Sequence, residues 1–262
     1  MRNGGDLLLK RIFSLLCVAA VCLALVSCGG KNGFAGSSRS PVTSSEKQLT
    51  QPSQDAPVAI LSTSLGDISI VLFPEYAPMA VENFEGLAQQ GYYNGNVFHR
   101  VVSDFVIQTG DATQTGTGGA SIWNNNTYPN ELSDQLHHYS GAVALARAAD
   151  GSVGNLSQFY IVQTPENSVD KTAADELLAA GVRQEVADAY QSAGGAPYLD
   201  GQDTVFGQVY AGMGVVDAIG QVECDENGRP LEDITVNSIT ITTYGAAQAS
   251  ASSAPSDSTS AA

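Results

Sequence analysis

Between Val58 and Thr243 the chain is cut into short apolar runs separated by turn residues, and this rhythm limits the folds open to it more than any other feature. Val58–Thr63 and Asp67–Phe73 flank Leu65-Gly66, and Ile68, Ile70 and Leu72 alternate with Asp67, Ser69 and Val71. A two-residue period with a turn between the runs predicts a hairpin with one buried face. Asn94-Gly95 is a second turn signal, and Val97–Val102 and Phe105–Thr109 follow it. Ala142–Ala146, Gln158–Val162, Thr204–Val209 and Ile234–Thr243 complete the strand candidates. Many short strands and few helices predict a closed or nearly closed β structure.

Two segments carry the helical period instead. Pro78 suits a first helical position, Val81, Phe84 and Ala88 share a face, and Gly91 supplies the stop. Farther on, Leu178, Val182, Val186 and Tyr190 recur every four residues within a helix predicted over Thr172–Tyr190, with Thr172 and Asp175 spaced as a capping box. This helical stretch, near 166–196, reads as an insertion between two strands.

The two ends differ from the body. Arg2, Lys10 and Arg11 precede an apolar run from Ile12 to Val26, the pattern of an export signal rather than a membrane span. Leu25-Val26-Ser27-Cys28 resembles a bacterial lipobox, so residues 1–27 are expected to leave as a lipoprotein signal peptide and Cys28 to carry lipid. Residues 28–56, rich in Ser, Gly, Gln and Thr, are expected to form a flexible tether reaching about 30 Å. Residues 57–244 form the single folded domain, and 245–262 a disordered Ala/Ser tail. Without the signal, 8 bases face 26 acids, a charge of −18 that argues against nucleic acid as a partner. Of the four cysteines only Cys28 and Cys224 would remain, too few for a disulfide framework, and Cys224 is expected to be a small packed side chain.

The run Phe98-His99-Arg100-Val101-Val102-Ser103-Asp104-Phe105-Val106-Ile107-Gln108 places His99 and Arg100 on opposite faces of a strand, and lets Arg100, Phe105 and Gln108 converge. Gly116-Thr117-Gly118-Gly119, Ala144-Leu145-Ala146-Arg147, Ser157-Gln158-Phe159-Tyr160, Leu199-Asp200-Gly201 and Val205-Phe206-Gly207 follow in that order. Together these motifs resemble the cyclophilin family of peptidyl-prolyl isomerases, from Thr63 to the last strand. The resemblance implies a mainly β fold, an eight-stranded antiparallel barrel closed by two helices. It makes Arg100 the catalytic arginine with Phe105 and Gln108 beside it. Ala146 becomes a groove wall, Gln158 matches the family glutamine, and Tyr160 and Leu199 line the prolyl pocket. At four groove positions the chain departs from the commonest eukaryotic pattern: Arg147 for asparagine, Tyr160 for phenylalanine, Tyr198 for tryptophan and Asp203 for histidine.

Other residues have plainer readings. His99 is expected to be packed and bonded to backbone. His137 and His138, being adjacent, do not readily face one ion and have no third ligand nearby, so no metal is expected. Gly116–Gly119 lacks the Lys-Ser/Thr of a phosphate loop and reads as a tight turn. Tyr92, Tyr93 and Trp123 are core or rim aromatics. The function implied is a lipid-anchored, extracytoplasmic isomerase that needs no cofactor, acts as a monomer, and takes Pro-containing exported polypeptides as substrates. The alternative is a binding module or chaperone of the same fold with weakened catalysis. A solute-binding lipoprotein would need a second lobe for which the length leaves no room.

Overall fold

The computed structural model describes residue 39, residues 44–147 and residues 155–253. The expected signal, Cys28 and the last residues of the tail lie outside them. Eight strands form one antiparallel sheet: β1 (Pro57–Thr63), β2 (Gly66–Leu72), β3 (Arg100–Val102), β4 (Val106–Thr109), β5 (Ala142–Leu145), β6 (Phe159–Val162), β7 (Val205–Ala211) and β8 (Val236–Thr243). Their spatial order is β3-β4-β6-β5-β7-β2-β1-β8. The sheet curls until its two ends approach each other. Just before β3 and β8, Val97 bridges Thr235, the Gly95 N–H donates to Val236 O at 2.8 Å, and the Phe98 N–H to Ile234 O at 3.0 Å. Those bonds satisfy backbone groups that an open edge would leave free.

Strand alternation sorts side chains between the inside and the outside of this barrel. Ile107, Val143, Phe159 and Ile161 point into the interior cluster, whereas Val106, Ala144, Tyr160 and Val162 belong to a second apolar cluster on the other face. Two helices close the interior as expected. Helix α1 (Pro78–Gln89) adds Phe84 and Leu87, and α4 (Met213–Gly220) adds Val216 and Ile219. Phe84 meets Phe159 edge-on at 5.5 Å, with Tyr93 and Phe206 also in ring contact. Pro78 opens α1, and Glu131 accepts the N–H groups of Met79 and Ala80 at 3.0 and 2.9 Å, donors that a helix start leaves unpaired.

Three expectations are corrected. The insertion is two helices rather than one, α2 (Lys171–Ala179) and α3 (Gln184–Ala193), parted at Gly181, whose φ of 91° only glycine adopts readily. Its cap is Asp170, which accepts from the Ala173 N–H at 2.9 Å, while Asp175 pairs with Lys171. The tail is helical through α5 (Tyr244–Ser253), because Ala-rich sequence favours helix and the first turn is fastened by Tyr244 against Tyr210 at 5.3 Å. The tether ends early: Lys47–Leu49 form a 3-10 turn, and the buried amide of Gln48 donates to His137 O at 2.7 Å and to Gln208 Oε1 at 2.9 Å while accepting from the His137 N–H at 2.8 Å. A polar residue that composition assigns to a linker has found its partners in a slot on the barrel.

Candidate active site

The outer face of β3, β4 and β6 gathers the side chains that the motifs singled out. Arg100 stands opposite Gln108 in the β3–β4 register, and Gln108 opposite Tyr160 in β4–β6. Gln108 Nε2 donates to Gln158 Oε1 at 2.9 Å, and Gln158 Nε2 to Gly118 O at 2.6 Å, so the two amides are fixed end to end. Phe105, Ala146 and Leu199 are half-buried against the cluster that contains Tyr160. Tyr198, 63% exposed, stacks on Phe105 with centroids 6.1 Å apart. The Ala146 N–H donates to Gln158 O at 2.9 Å, which sets this wall against the amide pair. The same outer face thus carries an apolar cluster, a cation and two linked amides.

The Arg100 side chain forms no hydrogen bond or ion pair among the described residues. In a chain of net charge −16 an unspent guanidinium is uncommon, and it leaves several donors available to a ligand.

Three of the four departures from the commonest pattern touch one another. Tyr160 Oη donates to Asp203 Oδ2 at 2.9 Å, and Arg147 Nε to Asp203 Oδ1 at 2.5 Å. Burial, and after it the Asp203 carboxylate, push the Tyr160 phenol far above its ordinary value, so it stays a donor. The fourth, Tyr198, stands at the rim.

His99 is packed as expected, but its ring makes no backbone hydrogen bond among the described residues, which corrects the expected one. Burial pushes its pKa down, opposed in part by the charge of Asp111. The glycine-rich loop holds the protein's own carboxylate in place of a phosphate. Asp111 accepts N–H groups from Thr113, Thr115, Gly116 and Gly118 at 2.7–3.1 Å and the Thr113 hydroxyl at 2.7 Å; the hydroxyl bond, with the N–H bonds of Thr113, Gly118 and Gly116, outweighs burial and brings its pKa to about 2. Gly116 has a φ of 77°, and a Cβ on Gly118 would lie 2.2 Å from Asp111 Oδ1.

The two histidines share one carboxylate partner. His137 Nδ1 and His138 Nδ1 donate to the two oxygens of Asp200 at 2.8 and 2.9 Å, and Tyr190 Oη donates to Asp200 at 2.8 Å. Asp200 thereby ties α3 to the segment that carries Tyr198 and Leu199. Sequence reasoning quoted Asp200 within Leu-Asp-Gly and gave it no role; two adjacent histidines and one acid in a turn motif were the available signal. Among the described residues no group of three or more His, Cys, Asp or Glu is arranged to hold a metal ion.

A curled eight-stranded antiparallel sheet closed by two helices, with Arg100 opposite Gln108 and Phe105, Ala146 and Leu199 packed on one outer apolar cluster, defines a small β-barrel protein with a mixed polar and apolar outer face. The cyclophilin-type peptidyl-prolyl cis-trans isomerase family model matches residues 58–241, and the chain belongs to that family. A Staphylococcus saprophyticus protein named for peptidyl-prolyl cis-trans isomerase activity is 41% identical over 182 residues, covering 70% of this chain and 90% of that protein. A Streptococcus pyogenes protein named as a bifunctional phosphatase and peptidyl-prolyl cis-trans isomerase is 41% identical over 196 residues; this chain spans 40% of its length. Among solved structures, a Cryptosporidium parvum cyclophilin-type isomerase crystallised in the presence of Ala-Pro has a TM-score of 0.56 and 26% identity, covering 71% of this chain and 99% of that one. The chain is a cyclophilin-type isomerase of X-Pro peptide bonds.

Proposed function

We propose that this isomerase acts outside the cytoplasm on Pro-containing segments of exported polypeptides, held to a bacterial membrane by lipid on Cys28, and that Arg100, Phe105 and Gln108 form its catalytic centre. The unpaired guanidinium of Arg100 beside the Phe105–Tyr160–Leu199 depression carries the site assignment. The charged start, apolar run and Cys28 support the location.

Rotation about X-Pro crosses a barrier of roughly 18–20 kcal/mol because amide resonance resists twisting. Uncatalysed exchange takes tens to hundreds of seconds. As the bond twists, the nitrogen lone pair localises, and a cation aimed at it favours the twisted state over both planar ones. Arg100 supplies that cation at any physiological pH. Phe105, Tyr160 and Leu199 receive the pyrrolidine ring and keep water from it. Gln108, its amide fixed by Gln158, offers a directed polar contact to the substrate backbone. A module that only held proline would have no use for an arginine kept free of the chain's many acids.

Two measurements test the reading. Titration with an Ala-Pro peptide should shift the resonances of Phe105, Gln108 and Tyr160; shifts confined to another face would reject the site. A Cys28→Ala variant should leave the membrane fraction and lose its lipid label, and retention of both would reject the anchor.

A further inference from the structure

The turn between β3 and β4, which carries Phe105, is gripped by the backbone and the buried side chain of one residue. Gln163, directly after β6, donates its backbone N–H to Phe105 O at 2.8 Å and accepts the Asp104 N–H on Oε1 at 2.9 Å. Asp104 has a φ of 58°, a region that non-glycine residues enter only when the surroundings hold them there. Gln163 Nε2 donates to Asp217 Oδ1 at 2.9 Å, which orients the amide so that its oxygen faces Asp104. A Cβ on Gly220 of α4 would lie 2.5 Å from Gln163 Oε1, so the helix offers this side chain a slot that only glycine leaves open.

Asp217 is itself held from outside the barrel. Arg39 Nε donates to Asp217 Oδ2 at 2.9 Å, and Nη2 grips Oδ1. Arg39 Nη1 donates to Ser140 Oγ at 2.6 Å and Thr164 O at 2.8 Å. A bidentate arginine so engaged fixes direction as well as charge. The bonds thus run without a gap from Arg39 through Asp217 and Gln163 to the backbone of Asp104 and Phe105.

We propose that Gln163 is a positioning residue for Phe105, held by Asp217 and, through it, by Arg39, so that a residue preceding the barrel takes part in setting the prolyl socket. The inference rests on the reading that Phe105 lines the substrate groove. Phe105 contacts planar and twisted proline alike, so misplacing it weakens binding more than turnover.

Full-length Gln163→Leu, Arg39→Ala, Arg39→Lys and Phe105→Ala proteins should be assayed for kcat and KM on an Ala-Pro peptide, with denaturant midpoints measured alongside. Gln163→Leu is expected to raise KM about fivefold to tenfold with kcat within about twofold, and Arg39→Ala to raise it about twofold to threefold, with Arg39→Lys in between. The Gln163→Leu/Phe105→Ala double variant should be no worse in KM than Phe105→Ala alone, since both act on one contact. Midpoints that fall while KM stays at the wild-type value in both Gln163→Leu and Arg39→Ala overturn the proposal. If Gln163→Leu does not fold, Arg39→Ala decides by the same criterion. A Phe105→Ala protein with unchanged KM refutes the groove reading instead, which separates the two failures.

Discussion

The Tyr160 hydroxyl donates to the Asp203 carboxylate across 2.9 Å. This bond explains why departures from the commonest pattern of the family occur together. A tyrosine in a largely buried position needs an acceptor for its hydroxyl, which the aspartate supplies. The Asp203 side chain is 9% exposed, and a carboxylate so placed needs a cation, which Arg147 supplies where asparagine is usual. Each replacement meets a requirement created by another.

Tyr160, Asp203 and Arg147 should therefore behave as one unit. Tyr160→Phe alone is expected to cost about 1 kcal/mol of stability by leaving an Asp203 oxygen unpaired. Asp203→Ala should cost about 1–3 kcal/mol, and combining it with Tyr160→Phe should add less than the sum, with a coupling of about 0.5–2 kcal/mol in a double-mutant cycle. Additive effects would show that the contact is incidental.

Arg100→Ala should lower kcat by a factor of about 10²–10³, the usual loss when a charged transition-state donor is removed, with peptide affinity within a few-fold of wild type. Arg100→Lys should recover little, because a compact, strongly hydrated ammonium lacks the planar fork. Near-native turnover in Arg100→Ala would falsify the mechanism.

Isomerase activity should be nearly flat between about pH 6 and 8. No proposed step moves a proton, and burial pushes the His99 imidazole down, towards its neutral form. A bell-shaped kcat/KM profile across that interval would implicate His99 and an acid–base route.

Acid should loosen the junction between α3 and the groove. Hydrogen bonds from His137, His138 and the His138 backbone outweigh burial and hold Asp200 at about 2, below the 3.8 of an ordinary aspartate. A depressed carboxylate stabilises the fold fully above about pH 4, and this contribution, about 2 kcal/mol, drains away as the pH falls towards 2. Asp200→Asn should thus lower the urea midpoint at pH 7 and make little difference near pH 2. An equal deficit at both pH values would contradict the assignment.

Gln48→Ala should destabilise the full-length protein by about 1–3 kcal/mol, since it strands the backbone N–H and C=O of His137 and the amide of Gln208. A change within about 0.3 kcal/mol would show that this segment is the free tether its composition suggests.

Much of the architecture was open to reading in the amino-acid order. Two-residue alternation already separates Ile107 from Gln108 and Phe159 from Tyr160, and the spacing from Arg100 to Gln108 is local enough for one turn to bring them together. What sequence left undecided are the contacts made across long separations. Arg39 meets Asp217 across 178 positions and Gln48 meets Gln208 across 160. Nothing periodic in a polar, Ser-rich segment announces such a partner. Tyr160, Asp203 and Arg147 read as separate departures until β6 and the segment before β7 bring them within hydrogen-bond distance. Sequence by itself determined which residues face the interior and which the groove, because strand geometry alone dictates that. Only the tertiary structure decided which buried polar groups meet, because a hydrogen bond is set by a few tenths of an ångström and the closing of the barrel supplies that precision.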